Sequence, residues 1–181
     1  MDPRDWDWPV LESSAEYETG WYTGGYDRVE QPDGTEKNYY WADLPDAVVV
    51  VARKGEAVVF IEQYRPPIRE HCLELVAGIV EEGESYEEAA LRELREETGY
   101  EAANPELLQT FNVATGVLRH ERGIVVADVT GESEDGRALD TNEFIEVTER
   151  PADEALAAAR EQPANDATIE GLLLARADGY L

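Results

Sequence analysis

Residues 78–100, GIVEEGESYEEAALRELREETGY, constrain this chain more than any other stretch. They carry the start and stop signals of one helix. Ser85 followed by Glu88 forms a capping box, and Gly99 suits the left-handed position after a helix end. At about 100° per residue, Glu93, Glu96 and Glu97 fall within roughly 100° of arc, while Leu91, Leu94 and Thr98 point the other way. Glu84 stands just ahead of the helix. Three like charges on adjacent turns repel one another, so propensity alone does not favour them. A divalent cation would remove the conflict, and an all-oxygen carboxylate cluster suits Mg²⁺ or Mn²⁺ better than zinc. The competing reading is an ordinary acidic helix with a solvated outer face.

Around this helix the chain reads as short strands. Pro32, Asp33 and Gly34 form a turn between residues 26–30 and 37–41, which predicts a hairpin. Residues 47–52 and 57–63 are apolar strands joined through Lys54 and Gly55, and residues 73–76 form a short strand leading into the loop ahead of the acidic helix. Further strands are expected at 106–113, 123–129 and 144–147, with a polar connection at 131–142 and two C-terminal helices at 151–161 and 166–177. Strands before, between and after helices, without regular βα alternation, argue for a mixed sheet with helices on both faces.

Composition sets the bounds. At 181 residues the chain has room for one domain with a sizeable core. Forty-one acidic against 15 basic residues give a formal charge of −26, spread along the chain and not blocked. Such a surface repels nucleic acid and anionic membranes, so neither is expected as a partner, and it suits high internal salt, where screening weakens self-repulsion. The single Cys72 excludes an intramolecular disulfide framework, and two histidines, His71 and His120, argue against a zinc site. The start lacks the basic and apolar regions of a signal peptide, and no apolar run is long enough to span a bilayer. A cytoplasmic location is the expectation.

The spacing of Gly78, Glu84, Arg92, Glu93, Leu94, Glu96, Glu97 and Gly99 resembles the Nudix box, with Tyr100 in place of its final aliphatic residue. Upstream, FIEQYRPPIREHCLELVAG resembles the ADP-ribose and ADP-sugar pyrophosphatase branch, as does the downstream segment at residues 142–147. The resemblance implies an α+β fold: a Nudix-type α/β/α sandwich with a mixed sheet at residues 46–181, and a small N-terminal β-hairpin subdomain at 1–45 serving dimerisation and base binding. It implies Glu93, Glu96, Glu97 and the carbonyl of Ala77 as ligands of Mg²⁺, or of Mn²⁺. Arg92 would pair with Glu84 to hold the loop–helix shape, and both would support catalysis alongside Glu96. Glu143, in an acidic stretch with Asp140 and Glu146, is the candidate to orient or deprotonate the attacking water. Arg65 would hold a phosphate or the terminal ribose.

For the base, the resemblance points to Trp21 and Tyr39, with Trp41 on the Tyr39 strand face as an alternative, contributed across a homodimer. Gly116 would contact substrate from a loop that departs from the branch, having Thr115-Gly116 where Pro-Gly is usual. No arginine follows the Tyr39–Trp41 strand, where Ala42, Asp43 and Leu44 stand. The implied activity is Mg-dependent hydrolysis of a nucleoside diphosphate-linked small molecule, ADP-ribose going to AMP and ribose 5-phosphate. Two alternatives stay open. One is a Nudix hydrolase of a GDP-sugar, a dinucleoside polyphosphate or an oxidised nucleotide; the other is a catalytically silent nucleotide-binding module.

Overall fold

Eleven strands and three helices account for the regular structure of the computed structural model, which describes residues 7–139 and 144–181. In order these are β1 (Val10–Glu18), β2 (Thr23–Glu30), β3 (Glu36–Asp43), β4 (Ala47–Lys54), β5 (Ala57–Arg65), β6 (Glu70–Glu74) and β7 (Val76–Ile79). Then come α1 (Tyr86–Thr98), β8 (Tyr100–Asn112), β9 (Leu118–Arg119), β10 (Glu121–Glu132), β11 (Ile145–Pro151), α2 (Ala152–Ala159) and α3 (Asp166–Ala177). They fall into two units, one of residues up to Asp46 with Phe111–Glu121, the other of Ala47–Thr110 with Arg122–Leu181.

The first unit is a four-stranded sheet in the order β1-β2-β3-β9. The expected hairpin is its centre: β2 and β3 pair antiparallel around a turn in which Gly34 has φ 82° and the Asp33 carboxylate accepts from Thr35 N at 3.0 Å. Two strands extend it beyond a hairpin. β1 lies along β2, exposed over nearly its whole length, so its sequence VLESSAEYE carries no apolar alternation to reveal it. β9 joins β3 in parallel at Ala42↔Leu118 and Asp43↔Arg119, which brings residues 111–121 into this unit across the boundary expected at 45/46.

In the second unit a mixed sheet runs β11-β5-β4-β10-β8, with β6 added to β5 and β7 to β4. β4 and β10 are parallel over Ala47–Arg53, while β11–β5, β5–β6 and β4–β7 are antiparallel. The β-branched run of β4 is buried on both sides, as central strands covered by two layers are. Val48 and Val50 pack with Ala89, Ala90 and Leu94 of α1. Val49 and Val51 alternate with them, and a Cβ placed on Gly171 of α3 would lie 3.3 Å from Val51 Cγ2 and 3.0 Å from Leu75 Cδ1. Helices therefore cover both faces, and the expected α+β sandwich is present.

One local departure shapes the site. β4 and β5 pair at Arg53↔Val58 and Lys54↔Ala57, beside the Gly55 turn; farther along, β4 pairs with β7 and β5 with β6. The single strand expected at residues 73–76 is two strands broken at Leu75, because the Leu75 amide leaves the ladder and donates to Thr168 Oγ1 of α3 at 3.0 Å. The splayed hairpin thus admits β7 beside β4, and β7 runs straight into the loop that starts α1. The first residue of α1, Tyr86, rests on Gly123 of β10, where a Cβ would come 2.3 Å from Tyr86 Cδ1.

Gly123→Ala should therefore overpack this contact and lower stability by about 1–3 kcal/mol. Gly171→Ala, which meets the flexible end of Leu75, should cost less. Urea titrations of the two variants check the order, and a Gly123→Ala variant as stable as the parent would contradict the packing.

Candidate active site

The helix signals seen in sequence are all realised. Ser85 Oγ accepts from Glu88 N at 3.2 Å, Glu88 Oε2 accepts from Ser85 N at 2.9 Å, and Gly99 adopts φ 75° with its N–H donating to Arg95 O at 2.8 Å. The loop ahead of the helix is folded by Glu84. Its amide donates to Glu81 O at 3.0 Å and its Oε2 accepts from Glu81 N at 3.1 Å.

Arg92 ties these parts together. Its Nε and Nη2 fork onto Glu84 Oε1 and Oε2 at 2.9 and 2.8 Å. Nη2 also reaches Ile79 O at the end of β7 at 2.8 Å, and Nη1 donates to Glu93 Oε1 at 2.7 Å and Glu96 Oε2 at 3.2 Å. One planar guanidinium so joins strand, loop and two helical turns, a task its five donors allow and an ammonium's do not. The hydrogen bond from Arg92 holds the Glu84 carboxyl below the usual range, and Glu84 in turn pushes Arg92 up.

The three helix acids do not form one solvated stripe. Glu96 is the most open, Glu93 is 12 % exposed and Glu97 only 3 %. Glu97 lies at the seam with the apolar face, beside the buried Leu94 and Thr98. A solvated acidic helix does not bury its carboxylates, so that alternative fails. Gly78 of β7 explains where Glu93 fits: a Cβ there would fall 1.9 Å from Glu93 Cδ, so only glycine leaves room for this carboxylate against the strand. Ala77 precedes Gly78 in β7.

Among the described residues no three acidic, histidine or cysteine side chains converge as a ready-made cation cluster. Glu93 is instead turned onto Arg92. The donor set nevertheless fits a hard cation: two largely buried carboxylates on successive turns, a third alongside, and a glycine cradle that keeps Cβ atoms out.

The remaining candidates are dispersed. Arg65 lies with both Nε and Nη2 on Glu74 Oε2, at 2.9 and 2.5 Å. Glu143, with Asp140, lies outside the described residues. On either side of that segment, Arg137 donates to Glu97 O at 2.9 Å and to Ile145 O at 2.6 Å, capping the last turn of α1. Sequence reading missed both Glu74 and Arg137. Glu74 begins the ELVAG run at residues 74–78, whereas Arg137 sits in a polar connection with no local signal.

In the first unit, Tyr39, Trp41 and Gly116 share one depression of about 220 Å³ with Asp27, Thr115 and Arg119. Trp41 is fixed there, its Nε1 donating to Asp27 Oδ1 at 3.0 Å and the Arg119 guanidinium stacked 3.9 Å from its ring. Hydrogen bonds from Ser13, Trp41 and Arg119 together lower the Asp27 carboxyl. Trp21 stands elsewhere, 66 % exposed at the turn between β1 and β2, and lines a different depression with Tyr22, Asp43 and Pro45. A single chain therefore does not bring Trp21 and Tyr39 together as a clamp.

The NUDIX domain family matches residues 43–172, and the chain belongs to it. Over 137 residues it is 37 % identical to the methanol dehydrogenase activator of Bacillus methanolicus, covering 75 % of this chain and 74 % of that one. Over 140 residues it is 34 % identical to the ADP-ribose pyrophosphatase of Bacillus subtilis, covering 77 % and 76 %. A solved structure titled as an ADP compounds hydrolase superposes with a TM-score of 0.84 over 97 % of this chain and 98 % of that one, at 23 % identity, and shows the same fold. No helix among the described residues is long and apolar enough to cross a membrane.

The Glu84–Arg92 fork has a pH signature. Because the folded carboxyl titrates below its ordinary value of 4.5, its stabilisation is complete above that value and is lost as pH falls through the lowered one. Glu84→Gln cannot titrate. In urea titrations with chelator present, the parent should exceed this variant in stability near neutrality, and the gap should close on acidification. A gap independent of pH would contradict the assignment.

Proposed function

We propose that this chain hydrolyses the pyrophosphate bond of a nucleoside diphosphate sugar, with ADP-ribose as substrate and AMP and ribose 5-phosphate as products, in a reaction that requires Mg²⁺ or accepts Mn²⁺. The observation that carries the reading is the burial of Glu93 and Glu97 on a capped helix beside the Gly78 cradle, with Arg92 holding the loop across it. The Bacillus subtilis relative, named for ADP-ribose, supplies the substrate class.

Glu93, Glu97, Glu96 and the Ala77 carbonyl are the residues that would hold the metal, which supplies charge neutralisation on the pyrophosphate and a more acidic water. Arg92 and Glu84 keep the ligands in place. Arg65 offers its outward N–H groups to phosphate oxygens, a planar donor edge that matches them. Glu143 takes the proton of the attacking water, whose oxygen ends on phosphorus while the bridging oxygen leaves with the other phosphate. Trp21 and Tyr39 stack on the adenine, with Trp41 as the alternative, and Gly116 contacts substrate from its loop. Assembly as a homodimer accounts for two aromatics that one chain keeps apart. The charge of −26 is read as a surface suited to high internal salt in the cytoplasm.

A second reading follows from the name of the Bacillus methanolicus relative, an activator of another enzyme: a nucleotide-binding module whose output is regulatory. Product analysis separates the two. With Mg²⁺, ADP-ribose should yield AMP and ribose 5-phosphate faster than GDP-sugars or dinucleoside polyphosphates react, and chelation should stop it. Glu97→Gln should cut turnover by about 10²–10³-fold while its stability without metal holds or rises, since a repulsive charge is gone. Near-normal turnover in that variant would remove the metal assignment, and binding of ADP-ribose without turnover would favour the module. Light scattering should give a dimer; a fully active monomer would contradict the shared base site.

A further inference from the structure

Glu74, at the end of β6, is a buried acid outside the box, and both its oxygens are held. Oε2 accepts from Arg65 Nε at 2.9 Å, Arg65 Nη2 at 2.5 Å and Gln63 Nε2 at 3.2 Å; Oε1 accepts from Asn165 Nδ2 at 2.7 Å. Asn165 is itself immobilised as the N-cap of α3, its Oδ1 accepting from Thr168 N at 3.0 Å, and Thr168 Oγ1 accepts from Leu75 N at 3.0 Å. A hydrogen-bonded chain thus runs from the start of α3 through Glu74 to the Arg65 guanidinium.

The two ends of the ion pair differ in kind. The Glu74 side chain is 5 % exposed and that of Arg65 is 42 % exposed. Two of the five guanidinium N–H groups go to Glu74, which leaves the opposite edge for an outside acceptor. Stability alone is a weak reason for such a pair, because burying a carboxylate costs about as much as its partner returns, and an apolar residue would serve as well. What the pair does achieve is orientation. Arginine has a long side chain with many rotamers, and clamping it at Nε and Nη2 removes that freedom before any ligand arrives.

We propose that Glu74 is a positioning residue for Arg65, presetting its guanidinium for the substrate pyrophosphate, and that Asn165 fixes Glu74 from α3. This rests on the reading of Arg65 as a phosphate-binding residue. In that arrangement Glu74 touches no substrate, and its whole effect passes through Arg65.

The test is a double-mutant cycle on ADP-ribose hydrolysis with Mg²⁺, reading kcat and KM separately. Glu74→Gln should lower kcat/KM by about 10–100-fold, the scale of a displaced positioning group. Arg65→Ala should lower it at least as far, and the double variant should be no worse than Arg65→Ala alone. Millimolar guanidinium should partly restore Arg65→Ala but not the double variant, a rescue that a merely structural Glu74 would not influence. Asn165→Ser keeps an N-cap but removes the amide donor, so it should fold normally and lower kcat/KM about threefold to tenfold, with no effect once Glu74 is Gln. It carries the test if Glu74→Gln does not fold. Multiplicative losses in the double variant, or Glu74→Gln with parental kcat and KM, would overturn the proposal. So would Arg65→Ala with parental kinetics while Glu97→Gln is inactive, which leaves the hydrolase reading standing. A parent protein that does not cleave ADP-ribose would remove both.

Discussion

The site depends on one guanidinium. Arg92 spends its donors on Ile79 O, both oxygens of Glu84, Glu93 and Glu96, so strand, loop and helix meet at a single planar group. Without it, carboxylates on adjacent turns would repel, and the loop between β7 and α1 would have little to hold it to the helix. With it, the acids are drawn together while one remains turned inward. The same positive charge that draws the cluster together also keeps Glu93 engaged.

Arg92 can do this because of the sheet beneath it. A continuous hairpin of β4 and β5 would leave no place for β7 beside β4. The strands part after their first pairs, and the buried bond from Leu75 N to Thr168 Oγ1 anchors the break from the opposite face. α1 therefore carries the acids on one face of the sheet, while α3 fixes Leu75 and Glu74 from its own side. The glycines at 78 and 123 are requirements of close approach: one admits the Glu93 carboxylate, the other seats the first residue of α1.

What was legible in the sequence was what is encoded locally. The capping box, the Gly99 terminator and the acid spacing lie within one helix, and each is found in place. The runs of β4 and β5 were legible because strands buried on both faces read as unbroken apolar segments. The hidden features are products of distance along the chain. β1 is an exposed edge with no periodic signal, and β9 is two residues defined only by their partner in β3. Helical angle alone put Glu97 with its sister acids and could not show that the folded chain buries it. Glu74 and Arg137 are ordinary charged residues until partners at Arg65, Asn165, Glu97 and Ile145 reveal their work. Trp21 and Tyr39 line separate depressions of the first unit, a separation that no local signal in the sequence carries.

The central claim is that Arg92 holds the box loop and the start of α1 in register, independently of the rest of the sheet. Amide hydrogen exchange read by mass spectrometry, comparing the parent with Arg92→Lys under metal-free conditions, addresses it most directly. The account predicts that amides of residues 79–88 lose protection by about tenfold or more, the equilibrium equivalent of one lost charged hydrogen bond, while β4, β10 and α3 keep theirs. Unchanged protection across residues 79–88 would contradict it, as would a uniform loss over the whole sheet.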